Sequence, residues 1–279
     1  MPTKKKITIR DIQKFKDKGT PFATVTAYDY ISACNADIVE IPLLLVGDSA
    51  AMVVYGMETT IPISMEELIF LVRAVNRGST KALIVADMPF MSFQASIEDA
   101  IRNAGRFVKE GGAEAVKLEG GTAYTAQIKA IIDAGIPVMG HVGLLPQSYH
   151  LSSGYRIQGK TQLEAEKIYS DAMAVQCNGA FSIVLEGIPA NLAEKITHKL
   201  DIPTVGIGAG PHCDGQIQVY HDIMGLYGDI IPRHSKRYGN LGNQIQDMLM
   251  EYKEDVETKI FPSPKHYITS KTFSEENHK

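Results

Sequence analysis

Short apolar runs that stop at a glycine or an acid alternate along this chain with segments whose apolar residues recur every three or four positions. The clearest run, Leu43-Leu44-Leu45-Val46, follows Pro42 and carries no polar alternation. It predicts a strand buried on both faces, as in a parallel sheet. The run passes through Gly47 into Asp48-Ser49, and the strand is read as extending over 43–49. Comparable strands are predicted at 22–29, 82–87, 115–119, 136–143, 181–186 and 203–207, with a shorter eighth near 216–220. Helical spacing covers 31–39, 64–77, 96–110, 161–176 and 190–199, and a further helix opens after Gly120-Gly121-Thr122 and ends before Gly135. Ser64 followed three residues later by Glu67 has the capping-box spacing, and Gly111-Gly112 supplies a helix stop. An amphipathic helix over 7–18, capped by Thr8, precedes the first strand, and another over 240–256 follows the last.

Strand and helix thus alternate about eight times with no break in composition. This predicts a (β/α)8 TIM barrel over a doubly wound sheet, with an N-terminal helix that plugs the bottom or lies beside it and a C-terminal extension. One domain is expected over 1–267, followed by a polar tail, 268–279, expected to be disordered. The 279 residues are close to the roughly 250 of a single barrel. The segment 144–159 exceeds the usual connection length, and loops of that length are more often functional lids than idle connectors.

Composition narrows the partners. A net charge of −4 gives no basic field for nucleic acid or an anionic membrane. No apolar run approaches the roughly 20 residues of a membrane span, and Lys4-Lys5-Lys6 has no apolar segment of a secretory signal behind it. Three scattered cysteines, Cys34, Cys177 and Cys213, have no metal spacing and suggest a reducing compartment. A cytoplasmic protein is expected.

The chemistry gathers at the strand ends. The second strand ends in Asp48-Ser49, the third in Asp87 and the sixth in Glu186, while the fourth carries Lys117 and Glu119, two apart and so on one face. A lone acid at a strand end is as apt to cap the next helix as to react. Four at the mouth of one barrel are harder to explain that way, since like charges repel unless a cation neutralises them. Oxygen ligands suit a hard divalent ion such as Mg2+, with Asp48, Asp87 and Glu119 as its candidates. Lys117 either holds a substrate carboxylate or pairs with Glu119 or Asp87, and Glu186 is free to act as a base. His141, at the end of the fifth strand, is as consistent with lining the site as with a core histidine. Gly206-Ile207-Gly208-Ala209-Gly210 lacks the full spacing of a dinucleotide loop.

The segments TAYDY (26–30), VGDS (46–49), VADMPFMS (85–92), VKLEGG (116–121), GHVGLLPQS (140–148), VLEGIP (184–189), GIGAGPHCDGQ (206–216) and FPSP (261–264) resemble, in order and spacing, the ketopantoate hydroxymethyltransferase family. The resemblance implies a barrel that hydroxymethylates 3-methyl-2-oxobutanoate with 5,10-methylenetetrahydrofolate through an enolate stabilised by Mg2+, giving 2-dehydropantoate on the route to pantothenate. It implies Mg2+ ligands at Asp48, Asp87 and Glu119, oxo-acid contacts at Asp48, Ser49, Asp87 and Lys117, and the proton acceptor at Glu186. It also implies a homo-oligomer, a decamer in this family. The chain departs from the family pattern at His150–Tyr155, at Tyr220 and at Arg233-His234-Ser235, all outside the expected metal and base positions. The rival reading is a Mg2+-dependent 2-oxo acid lyase or mutase of the isocitrate lyase-like barrels, but no cysteine here sits in the Lys-Lys-Cys-Gly-His loop of those lyases. A non-enzymatic scaffold is the remaining alternative.

Overall fold

The computed structural model describes residues 5–227 and 232–270. Its strands are β1 (Phe22–Thr26), β2 (Leu43–Val46), β3 (Leu83–Asp87), β4 (Ala115–Glu119), β5 (Val138–Gly143), β6 (Ser182–Glu186), β7 (Thr204–Ile207) and β8 (Gly215–Gln218). They form a closed barrel in chain order, and β8 closes it by pairing in parallel with both β7 and β1. With helices in every connection between consecutive strands except that from β7 to β8, this is the (β/α)8 barrel that the alternation predicts.

Two strands end earlier than expected, for local reasons. β1 stops at Thr26 because Asp29 caps the helix Tyr30–Ile38, its carboxylate accepting the Ser32 N–H at 2.6 Å. β2 stops at Val46 because the chain turns at Gly47, where a Cβ would lie 2.8 Å from Ser49 Oγ. A short helix, Ala50–Val53, begins at once, so Asp48 and Ser49 stand just beyond the strand end. The helix Met65–Gly78 opens with the expected capping box, Ser64 Oγ accepting the Glu67 N–H while Glu67 Oε2 accepts the Ser64 N–H.

Side chains alternate between the barrel interior and the surrounding helices. The interior set includes Leu43 and Leu45, Leu83 and Val85, Ala115, Met139, Val184, Val205 and Ile217, packed around Ile12. Ile12 belongs to the helix Ile9–Asp17, and Ile9 and Phe15 press on the same cluster. Of the two placements left open for this helix, it takes the plug at the N-terminal end of the strands. Complete burial of Ile12 contributes roughly 1.5–3 kcal/mol.

The described residues divide into two compact units, the barrel over 5–220 with 232–235, and a smaller one formed from 221–227 and 236–270. The second unit holds the helix Leu241–Glu257, and the chain after it brings Phe261 against Tyr252, ring centroids 5.7 Å apart. Most of the expected polar tail, 271–279, lies outside the described residues. Among the described residues no helix is long and apolar enough to cross a membrane.

Candidate active site

The strand parity that fills the barrel with aliphatic side chains also builds the site. Two residues beyond Val85 the same face presents Asp87; beyond Ala115 it presents Lys117 and then Glu119; beyond Met139, His141; beyond Val184, Glu186. Cross-strand register sets them side by side, with Asp87 opposite Lys117 and Glu119 opposite His141. The site is therefore a charged layer on the C-terminal side of the apolar ones. Asp48, Asp87, Lys117, Glu119 and His141 are all buried.

Lys117 Nζ lies 2.6 Å from Asp87 Oδ1, so of the partners anticipated for this lysine Asp87 is one. Asp87 Oδ2 accepts the Asp48 backbone N–H at 3.2 Å, which joins the ends of β2 and β3. Burial, with Asp87 and Glu119 close by, holds the Asp48 carboxyl well above the usual carboxylate range; Lys117 and the Gln147 amide offset only part of this. The lysine shows the converse. Burial favours its neutral form, but Asp87, Glu119 and Asp48 together outweigh burial and keep its pKa raised.

His141 stands between two carboxylates, Nε2 3.2 Å from Glu186 Oε2 and Nδ1 3.6 Å from Glu119 Oε1, without an aligned hydrogen bond to either. Burial and the Lys117 ammonium favour the neutral ring, yet the flanking acids prevail and raise its pKa to about 9. His141 is thus a buried histidine set between two of the candidate acids. Glu186 is the most accessible of the acids, its side chain 19% exposed.

Two residues here escape a reading of strand ends. Tyr28 is buried, and its hydroxyl is 2.7 Å from Ser49 Oγ, fixing the serine at the rim. Gln147 donates from Nε2 to Asp48 Oδ2 at 3.1 Å and from its backbone N–H to Glu119 Oε2 at 3.1 Å. Neither carries a periodic signal, although both fall inside segments that support the family resemblance. Gln147 belongs to the long 144–159 connection, which forms the short helices Pro146–Ser148 and Tyr149–Ser152. Its ends are tied to the end of β6, Leu144 N–H to Glu186 O and Gln158 N–H to Gly187 O. Tyr155 packs edge-on against Tyr149 and donates its hydroxyl to Met52 Sδ on the helix that follows Asp48-Ser49.

The charges do not balance. The acidic side chains of Asp48, Asp87, Glu119 and Glu186 face only the basic side chains of Lys117 and His141, an excess of acids that a bound divalent ion would offset. Glu119 Oε1 is buried without a hydrogen-bond partner. Among the described residues no three His, Cys, Asp or Glu side chains are gathered tightly enough to hold a metal by themselves. Asp48 and Asp87 are adjacent, whereas Glu119 is turned toward Gln147 and His141. Mg2+ needs no closed cage, since it commonly takes one or two carboxylates with water and substrate oxygens. The donor set fits such an open site.

Comparison with known proteins bears on the family and the fold. The family model described as ketopantoate hydroxymethyltransferase matches residues 6–264. A 3-methyl-2-oxobutanoate hydroxymethyltransferase of Carboxydothermus hydrogenoformans is 49% identical over 264 residues, covering 95% of this chain and 96% of the relative. One from Chloroflexus aurantiacus is 51% identical over 261 residues, covering 94% and 92%. Among solved structures, a phosphonopyruvate hydrolase in complex with oxalate and Mg2+ superposes with a TM-score of 0.61 at 13% identity, covering 93% of both chains. A 2,3-dimethylmalate lyase of the PEP mutase/isocitrate lyase superfamily gives 0.59 at 16% identity, covering 93% of this chain and 91% of its own. At such identities these two speak for the fold alone.

Proposed function

The chain belongs to the ketopantoate hydroxymethyltransferase family, and from that premise we propose that it transfers a one-carbon unit from 5,10-methylenetetrahydrofolate to 3-methyl-2-oxobutanoate, giving 2-dehydropantoate. The observation that carries the reading is the single layer in which buried Asp48, Asp87, Lys117 and Glu119 meet the more accessible Glu186 above an apolar barrel core.

Asp48, Asp87 and Glu119 would hold a Mg2+ ion, which when bound supplies a Lewis acid for the oxo and carboxylate oxygens of the substrate. Lys117 gives one of its three N–H donors to Asp87 and keeps the others for the substrate carboxylate. Asp48 and the Ser49 hydroxyl, held by Tyr28, meet the same small acid. Glu186 takes the proton from C3, and the His141 ring stands beside it, Nε2 3.2 Å from Oε2. C3 then bonds to the methylene carbon of the folate as one of that carbon's two C–N bonds breaks, the freed nitrogen gaining the proton that Glu186 took; water displaces the second nitrogen, which gains a proton from that water, and tetrahydrofolate leaves. The enzyme acts in the cytoplasm. It assembles with copies of itself, which would cover Ile38, Val39 and Phe70, each about two-thirds or more exposed on the outer helices.

The test is incubation with 3-methyl-2-oxobutanoate and methylenetetrahydrofolate, with and without Mg2+, followed by assay for 2-dehydropantoate. Metal-dependent product is expected. Consumption of a 2-oxo acid by carbon–carbon cleavage without folate would instead support the lyase reading.

A further inference from the structure

Gln147 lies on a loop, yet it is only 5% exposed, and its side-chain amide and backbone N–H are all engaged. Nε2 donates to Met88 O at 2.8 Å and to Asp48 Oδ2 at 3.1 Å. Oε1 accepts from Gln94 Nε2 at 3.1 Å, and the backbone N–H donates to Glu119 Oε2 at 3.1 Å. The amide cannot be turned over at no cost. A carbonyl and a carboxylate accept but do not donate, so a reversed amide would set its oxygen against two acceptors and its NH2 against another NH2. Gln94 is oriented in its turn, because its Oε1 accepts the Phe93 N–H at 3.3 Å. A directed chain of amides therefore runs from the loop after β3, through the loop after β5, to the acid after β2.

We infer that Gln147 is a positioning residue that sets Asp48 and Glu119 for the metal-assisted step, with Gln94 fixing the sense of its amide. The inference rests on the oxo-acid and Mg2+ reading of this site. A hydrogen bond to one carboxylate oxygen limits rotation of the group and leaves its other oxygen to a cation. Because the same residue donates to both acids, the start of the 144–159 segment and the arrangement of two metal-facing acids are one unit. Disturbing Gln94, which touches neither acid, should be felt at the metal.

Gln94→Glu keeps the shape but, when ionised, offers only acceptors, which favours the reversed Gln147 amide. Gln147→Met removes the amide and leaves its backbone N–H on Glu119. Wild type, both single variants and the double variant are compared by metal-free melting temperature, by calorimetric Mn2+ affinity, and by kcat and KM for exchange of the C3 proton of 3-methyl-2-oxobutanoate at saturating Mn2+. Each single variant is expected to weaken Mn2+ binding about tenfold, the effect of one charge-assisted hydrogen bond. Exchange kcat should fall by about as much with KM within about threefold, and the double variant should match Gln147→Met alone, since Gln94 acts only through Gln147. Losses that multiply in the double variant, or a Gln94→Glu protein that melts lower but keeps Mn2+ affinity and kcat within about twofold of wild type, would reduce the pair to packing. A wild-type chain that neither binds Mn2+ nor exchanges the proton would remove the functional reading at the first measurement, and the inference with it.

Discussion

Asp37, under the N-terminal ends of the strands, and Asp48, beyond the C-terminal ends, are 8% and 4% exposed, yet their surroundings drive them in opposite directions. Asp37 Oδ1 accepts from Ser79 Oγ at 2.6 Å and from the backbone N–H groups of Lys81 and Ala82, and Oδ2 accepts from Thr80 Oγ1. Burial pushes its carboxyl up, but these donors outweigh burial and hold it below the usual range. Asp214, at the same end, is treated alike, accepting from Lys16 Nζ and from the Thr204 N–H and hydroxyl. Asp48 has the Gln147 amide and the Lys117 ammonium, which together do not outweigh burial and the acids Asp87 and Glu119. Burial alone therefore does not separate a structural carboxylate from a functional one. What separates them is whether the fold supplies enough donors, or leaves the positive charge to come from outside.

The largest expected effect is at the mouth. Glu186→Gln should slow deuterium exchange at C3 of 3-methyl-2-oxobutanoate by about 10²–10⁴-fold, the usual contribution of a general base, while metal-dependent binding of the oxo acid persists. Unchanged exchange would move the base elsewhere. Next comes the other end. Asp37→Ala strands several donors and should cost about 2–4 kcal/mol, read as a melting temperature lower by roughly 5–15 °C, with kcat preserved. Since the Asp37 pKa is lowered on folding, its contribution is complete above the ordinary value of 3.8 and is lost as pH falls through the folded value. The gap between wild type and variant should hold from neutral pH to about 4 and close below it; a gap that widens in acid would contradict the assignment. The smallest effect has the opposite sign. Asp48→Asn removes a like charge, so metal-free protein should gain about 1 kcal/mol, and the rise in melting temperature that Mg2+ gives the wild type should disappear. A destabilised metal-free variant would mean that Asp48 is as well satisfied as Asp37.

What could be read in the sequence follows from how local the signal is. Asp87, Glu119 and Glu186 each terminate an apolar run, so strand identity and rim position come together, and Lys117 is placed by its two-residue offset from Glu119. The plug helix is visible from Ile9, Ile12 and Phe15, but its place inside the barrel depends on packing against strands far along the chain. The helices Ala50–Val53 and Tyr149–Ser152 are too short for periodicity to register. Gln147 is visible only in three dimensions, since a neutral amide in a loop announces nothing until Asp48, Met88, Gln94 and Glu119 converge on it.

The plug at Ile12 has a further consequence. Among the described residues the strand bottoms are stoppered by aliphatic layers, so a molecule held at Lys117 would arrive and depart by the C-terminal mouth. Traffic through a single doorway queues by size. On the reaction proposed above, the small oxo acid would go in ahead of the bulky folate and its product come out behind it, an order of binding and release set by the floor of the fold before any affinity is counted.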